Sequence, residues 1–186
     1  MEILKEVTNM WDSGVFDKAL FFAFDAHKSQ EMKDPEGMPY SAHLVGVLSN
    51  AIKYSYNDTN VDWDLLVQFA LLHDVIEDTH FTHEDIEKEF GKRVADGVGA
   101  LSKNEGLPKL EQMKECIERI KSQPREVAIV KLADRLFNMR TNISSWSSEK
   151  REFYKWEGQL ICNELGYASE TLKNALQETI NKYNII

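Results

Sequence analysis

The chain has 186 residues, 42% of them hydrophobic and 28% charged, which is enough for one domain with a substantial core. Its 22 basic and 31 acidic residues give a formal net charge of −9, which excludes a general electrostatic attraction to nucleic acid or to an anionic membrane. No apolar stretch reaches the roughly 20 residues of a membrane span, and Cys116 and Cys162 lack CxxC spacing, so we expect reduced thiols in a cytoplasmic protein.

Apolar residues recur at three- and four-residue spacing along most of the chain, and glycine and proline are scarce, which predicts an all-α fold. In chain order, the expected helices cover residues 15–30, 41–54, 62–79, 82–91, short pieces around 94–102, and then 109–121, 125–142, 147–165 and 169–183. We therefore expect a single domain over residues 1–186, built as a bundle of about eight or nine helices. Its core is expected over about 22–156, with closing C-terminal helices over about 147–186.

Local signals indicate where some of these helices begin and end. Thr82 followed three residues later by Asp85 resembles a capping box, which predicts a helix start at this point. Gly91 predicts the end of the same helix, because glycine is common just past helix C-termini. Pro108 is suited to the first turn of the helix over 109–121.

The third expected helix is nearly all apolar from residue 65 to residue 72, so it should be central and buried, yet it then carries four ionisable residues. His73 and Glu77 are four residues apart, as are Asp74 and Asp78, and this spacing predicts two adjacent columns on one helix face. Burying an unpaired charge is costly, so such residues should be paired, protonated or bound to metal.

A second apolar helix repeats this pattern, because Lys131, Asp134 and Asn138 fall on one face of the segment VKLADRLFNMR. Imidazole and carboxylate groups are suitable ligands for a first-row divalent metal. Four residues from three segments would supply two nitrogens and two oxygens: His43, His73, Asp74 and Asp134. An HD dipeptide alone also fits an ordinary buried His–Asp pair, whereas the whole set favours a catalytic metal site with open positions for water and substrate.

Four motifs carry a resemblance to a known family: PYSAHLVGV, ALLHDVIEDT, EFGKRVADGV and VKLADRLFNMRTN. In this order and spacing they resemble the HD superfamily of metal-dependent phosphohydrolases, and most closely its alarmone-hydrolase branch, the hydrolase domain of RelA/SpoT proteins. The segments KDPEGMPY and LPKLEQMK are similar to the small stand-alone alarmone hydrolases of the metazoan SpoT-homologue type. The resemblance covers about residues 22–156 and implies an HD-type helical domain.

The resemblance also implies a metal centre and a catalytic pair. The implied ion is Mn²⁺, or another divalent first-row metal, bound by four residues: His43, His73, Asp74 and Asp134. Glu77 and Asp78 are implied to orient or activate the attacking water. Asn138 and Arg140 are implied to hold the nucleotide end of the substrate or the local helix geometry.

The reaction implied by the resemblance is removal of the 3′-pyrophosphate from ppGpp or pppGpp, which gives GDP or GTP. We expect a hydrolase without a synthetase module, whose partner is a small-molecule nucleotide and neither nucleic acid nor membrane; the oligomeric state is left open. The candidate counter-charges for the anionic leaving group are Lys28, Lys33, Lys103, Lys109, Lys131 and Arg135. Of these, Lys33, Lys109 and Lys131 are predicted to bind substrate.

Two positions depart from the family pattern and keep other functions open. Met32 occupies the place of an arginine that packs against the base, and Phe153 replaces a tyrosine near the nucleotide. Methionine offers an apolar surface but neither a cation nor a hydrogen-bond donor. The alternative is therefore an HD phosphohydrolase acting on another nucleotide, such as an adenine alarmone, the ribose phosphate of NADPH or a 5′-nucleotide. A third alternative is a non-catalytic nucleotide-binding regulator.

Overall fold

The computed structural model describes residues 10–32, 37–141 and 146–183. The α-helices within these ranges are α1 (Ser13–Ala26), α2 (Ser41–Ser55), α3 (Trp63–Leu72), α4 (Val75–Asp78), α5 (His83–Phe90), α6 (Lys92–Leu101), α7 (Lys109–Lys121), α8 (Arg125–Thr141), α9 (Ser148–Leu165) and α10 (Glu170–Lys182), with a 3₁₀ turn at Gly166–Ala168. The all-α prediction is confirmed: β pairing in the described ranges is limited to one isolated bridge between Glu31 and Pro39. None of the helices described is both long and apolar enough to cross a membrane.

The helix ends follow the capping chemistry of the sequence. The Thr82 side chain accepts from the amide of Asp85 while the Asp85 carboxylate accepts from the amide of Thr82, so the predicted capping box is present. Ser147 and Ser169 cap α9 and α10 through their hydroxyl oxygens, which accept from the amides of Lys150 and Leu172. Gly91 has a φ of 84°, a conformation that favours glycine, and it allows α6 to start immediately after α5. Residues 94–102, predicted as short pieces, therefore belong mostly to one ten-residue helix.

The core is centred on α3 and α8, the two helices whose sequences combine apolar runs with ionisable residues. Phe69 and Leu71 of α3 and Ile129 and Leu132 of α8 have no exposed surface. Helix α8 packs against α2, α3, α9 and α10. Burial of these side chains provides most of the stabilisation of such a domain. It also places the ionisable groups of α3 and α8 next to each other in the interior.

The expected helix over 62–79 is interrupted at His73 and Asp74, so the single-helix prediction is wrong at this point. Nδ1 of His73 donates a hydrogen bond to the carbonyl oxygen of Ala70 over 2.8 Å. In a continuous helix that carbonyl would accept from the amide of Asp74. The interruption changes the direction of the chain, so the His73 and Asp74 side chains reach one point instead of standing in separate columns.

Helix α6 approaches α3 most closely at Gly97, where a Cβ atom would lie 2.3 Å from Cε1 of the buried Phe69. We expect Gly97→Ala to lower the free energy of unfolding by about 1–3 kcal/mol, because the aromatic ring cannot move without opening the core. Gly99→Ala is the matched control on the same helix, since its nearest atom would be Cδ2 of His83 at 3.4 Å. Urea denaturation of both variants checks this, and equal stabilities would contradict it.

Candidate active site

Two buried imidazoles meet at the centre of the site, one from the first turn of α2 and one from the interruption between α3 and α4. The Nε2 atoms of His43 and His73 lie 3.0 Å apart, and neither residue is more than 4% exposed. Because Nδ1 of His73 donates its hydrogen to Ala70, the lone pair of Nε2 in the neutral ring faces His43. This is the orientation that a metal-ligating imidazole needs.

Two aspartates complete the cluster from different segments. Oδ2 of Asp74 lies 2.9 Å from Nε2 of His73 and 3.1 Å from Nε2 of His43. Oδ1 of Asp134, on α8, lies 3.6 Å from Nε2 of His43 and accepts a 2.5 Å hydrogen bond from Asn138. The ligand atoms of His43, His73 and Asp134 all lie within 4.8 Å of one another. A mixed nitrogen and oxygen set of this size fits a divalent first-row metal ion.

The electrostatics of the cluster favour added positive charge. Burial would raise the pKa of Asp74, but the imidazoles of His73 and His43 hold that pKa well below its usual range. Burial would likewise lower the pKa of His73, but the carboxylates of Asp74 and Asp134 raise it to about 9. The ionised carboxylate of Asp74 in a buried site favours a neighbouring cation, which a divalent ion would supply.

A hydrogen-bonded network holds Asp78 through two residues that the sequence pattern did not single out, Tyr40 and Gln30. The hydroxyl of Tyr40 donates to Asp74 over 2.6 Å and to Asp78 over 2.9 Å. Gln30 donates to Asp78 over 3.2 Å and accepts from Nδ1 of His27, which stacks on Tyr40. Both donors approach the same oxygen, Oδ2 of Asp78, so this carboxylate has a fixed direction.

Glu77 has a different environment from its neighbour. Its Oε2 accepts a hydrogen bond from the backbone amide of Lys103 over 2.9 Å. Burial raises the pKa of Glu77 and the charge of Asp74 adds to that increase, while Lys131 and Lys103 oppose it. The two adjacent carboxylates therefore differ. Asp78 accepts two side-chain hydrogen bonds, whereas Glu77 has the raised pKa expected of a proton acceptor.

The cluster opens into a cavity of about 270 Å³. The lining residues are Gln30, Glu31, Met32, Tyr40, His43, Asp74, Glu77, Asp78, Lys103, Lys131, Asp134, Arg135, Asn138 and Tyr154. The lining thus combines carboxylates with the cations Lys103, Lys131 and Arg135. A metal ion bound by the carboxylates would add to these cations in binding a polyanionic ligand.

Some predicted substrate-binding residues do not reach this cavity. Lys33 lies outside the described residues. Lys109 is exposed at the start of α7, and Arg140 donates to the hydroxyl of Tyr54 over 3.2 Å, so neither lines the cavity. Lys131 and Asn138 do line it. Asn138 is bonded to Asp134, which matches the predicted role in local geometry more closely than contact with a nucleotide.

The two positions that depart from the family pattern have different places in the structure. Met32 is 7% exposed and lines the cavity, as expected for a residue that contacts a ligand. Phe153 packs against Trp156, with ring centroids 5.4 Å apart, and it is the next residue, Tyr154, that lines the cavity. Successive residues of an α-helix point about 100° apart, so an ungapped sequence comparison cannot tell whether Phe153 or Tyr154 lines the cavity.

The chain matches both a family model and the sequences of known proteins. A family model described as HD domain matches residues 19–169. The guanosine-3′,5′-bis(diphosphate) 3′-pyrophosphohydrolase MESH1 of Danio rerio is 34% identical over 158 residues, which cover 82% of this chain and 86% of the relative. The MESH1 protein of Homo sapiens is 34% identical over 149 residues, which cover 77% and 81% of the two chains.

Solved structures show the same fold. One, described as a metazoan ortholog of SpoT that hydrolyses ppGpp, matches with a TM-score of 0.79 at 28% identity and covers 95% of this chain and 99% of its own. A second, the lmo0812 protein of Listeria monocytogenes, matches with a TM-score of 0.61 at 24% identity and supports the fold alone. The all-helical fold is therefore shared with a protein of related sequence.

Proposed function

Because the chain belongs to the HD-domain family, we propose that it is a metal-dependent hydrolase that removes the 3′-pyrophosphate of ppGpp and pppGpp, giving GDP or GTP and pyrophosphate. The observation that carries this proposal is the convergence of His43, His73 and Asp134 beside Glu77 in one cavity. Relatives named for this reaction resemble the chain over most of its length. The buried free cysteines Cys116 and Cys162 fit a reducing cytoplasmic environment.

Four residues would hold the metal ion: His43, His73, Asp74 and Asp134. We propose Mn²⁺ or another divalent first-row ion as the metal, because a mixed set of imidazole and carboxylate ligands suits such ions. When bound, the ion would lower the pKa of water and neutralise phosphate oxygens. Asn138 orients Asp134 through its 2.5 Å hydrogen bond, and Tyr40 does the same for Asp74.

Glu77 and Asp78 have different roles toward the attacking water. Glu77 accepts the proton, because it lines the cavity, its pKa is raised and only one of its oxygens accepts a hydrogen bond from the Lys103 amide. Asp78 orients the water, since Tyr40 and Gln30 fix the direction of its carboxylate.

The cationic residues that line the cavity bind the phosphate groups. Lys131 donates to the carbonyl oxygen of Leu101 over 3.1 Å; burial would lower its pKa, but the thiol of Cys116 and nearby carboxylates raise it to about 12, so it stays charged. Lys103 and Arg135 line the same cavity and supply further positive charge. Lys33, Lys109 and Arg140 remain predictions for substrate binding.

A product assay tests the proposed reaction. Purified protein loaded with Mn²⁺ is incubated with ppGpp, and the products are separated and identified. Pyrophosphate and GDP in equal amounts are the expected products. Release of orthophosphate, or no turnover of ppGpp alongside turnover of another nucleotide, would contradict it and favour the second candidate below. Binding without turnover of any nucleotide would indicate a regulator.

The buried position of Met32 in the cavity favours a second candidate, a phosphohydrolase acting on another nucleotide. If Met32 contacts the base, Met32→Arg should lower KM for a purine nucleotide about 3- to 30-fold, because a guanidinium over an aromatic ring contributes about 0.5–2 kcal/mol. Met32→Leu is the matched control and should leave KM nearly unchanged. A panel of guanine and adenine substrates measures this, and equal KM values for both variants would show that Met32 does not contact the base.

A further inference from the structure

Lys103, in the segment that follows α6, is bound through both its backbone and its side chain. Its amide donates to Oε2 of Glu77 over 2.9 Å, and its Nζ donates to Oε1 of Glu157, on α9, over 3.1 Å. A single residue therefore connects the proposed proton acceptor with a helix 80 positions further along the chain. Contacts of this kind transmit the position of one helix to a catalytic group.

Glu157 is a buried carboxylate outside the lining of the cavity. Its side chain is 3% exposed, and its Oε2 accepts from Nη2 of Arg135 over 3.1 Å. Burial would raise the pKa of Glu157, but Arg135 and Lys103 lower it below its ordinary value, so the carboxylate is ionised. A buried ionised carboxylate is tolerated when its oxygens are paired, and here each oxygen has one cationic partner.

The backbone carbonyl groups at the end of α6 and just after it accept hydrogen bonds from other residues. Arg119 donates to the carbonyl oxygens of Gly99 and Ser102, and Lys131 donates to that of Leu101. Among the contacts described for residues 99–103, the ion pair with Glu157 is the one that restrains the Lys103 side chain. Loss of this pair would leave the segment folded but would release the residue whose amide contacts Glu77.

We propose that Glu157 is a positioning residue, which holds Lys103 so that the Lys103 amide keeps Glu77 directed at the attacking water. The step from Glu157 to the Lys103 amide stands on the contacts alone, and only the step from Glu77 to catalysis rests on the proposed function. The arrangement also keeps the charge of Lys103 at the cavity wall, where it faces the phosphate groups of the substrate.

The test compares Glu157→Gln with Glu164→Gln, the same substitution seven residues further along α9. Glu164 pairs with Lys121 over 2.6 Å and its side chain is 44% exposed, so it is a surface control. We expect Glu157→Gln to accelerate hydrogen exchange of the Lys103 amide about tenfold or more, measured by ¹⁵N NMR. We also expect kcat to fall about tenfold with unchanged metal content, whereas Glu164→Gln changes neither.

Lys103→Met provides a second route to the same ion pair. It removes the Lys103 ammonium group from a side chain that is 25% exposed and leaves the pair between Glu157 and Arg135 intact, so folding should be preserved. Exchange of the residue 103 amide should accelerate as in Glu157→Gln. If Glu157 acts through Lys103, adding Glu157→Gln to Lys103→Met should lower kcat less than about twofold further.

Unchanged exchange of the residue 103 amide in either folded variant would overturn the proposal. Fully additive losses of kcat in the double variant would overturn it as well, because Glu157 would then act by another route. If the unsubstituted protein hydrolyses no guanosine substrate, the proposed function fails, but the exchange measurement still decides whether Glu157 positions the Lys103 amide.

Discussion

Glu77→Gln is expected to lower kcat about 10²- to 10⁴-fold, because glutamine cannot accept the proton of the attacking water. Glutamine keeps the shape of the side chain, and its carbonyl oxygen can still accept from the Lys103 amide, which donates to Glu77 over 2.9 Å. Metal content should therefore stay unchanged, since Glu77 is not one of the proposed ligands. Steady-state kinetics together with metal analysis by mass spectrometry measure both effects.

The pH dependence of activity independently tests whether Glu77 is the proton acceptor. The proton acceptor must be unprotonated, so activity falls as the pH decreases through the pKa of Glu77. Because burial and Asp74 raise that pKa, the loss should begin at a higher pH than for an ordinary glutamate, and this limb should disappear in Glu77→Gln. Asp78→Asn is the paired comparison, and its kcat should fall less because Asp78 orients the water. Near-normal turnover by Glu77→Gln would show that another group accepts the proton.

The sequence was sufficient to predict the helices because their signals are local. Apolar spacing and caps such as Thr82, Ser147 and Ser169 involve residues within one or two turns of each other. The interruption at His73 could not be predicted, because it accompanies a hydrogen bond from the His73 imidazole to the Ala70 carbonyl. The sequence pattern on both sides of the interruption is the same as that of one continuous helix.

The cluster of two histidines and two aspartates could be predicted because polar residues on apolar helices stand out in a sequence. Their supporting residues do not stand out: Tyr40 and Gln30 precede α2, and Glu157 is an ordinary acidic residue of an amphipathic helix. Each acquires its role from a partner far away in the chain, as Glu157 does from Lys103. Arg140 shows the opposite case, since its motif suggested the cavity but the turn of α8 directs it to Tyr54.

Asp74→Ala is expected to remove most of the bound metal and to abolish turnover. Asp74 is the carboxylate closest to both imidazoles, at 2.9 and 3.1 Å, so its loss removes a ligand and a charge that favours the cation. The unsubstituted protein should gain about 2.7 kcal/mol of stability at a metal concentration of 100 times Kd. For a domain of this size that corresponds to an increase in Tm of about 5–10 °C.

This stabilisation should be absent in Asp74→Ala and fully present in Asp25→Ala. Asp25 forms an exposed pair with Lys28 at 3.1 Å, so its removal changes the net charge equally without touching the site. Thermal unfolding with and without Mn²⁺ therefore separates loss of a ligand from loss of a negative charge, and it does so without any assay of activity. An equal metal-dependent increase in Tm for both variants would show that His43, His73 and Asp134 bind the ion without Asp74.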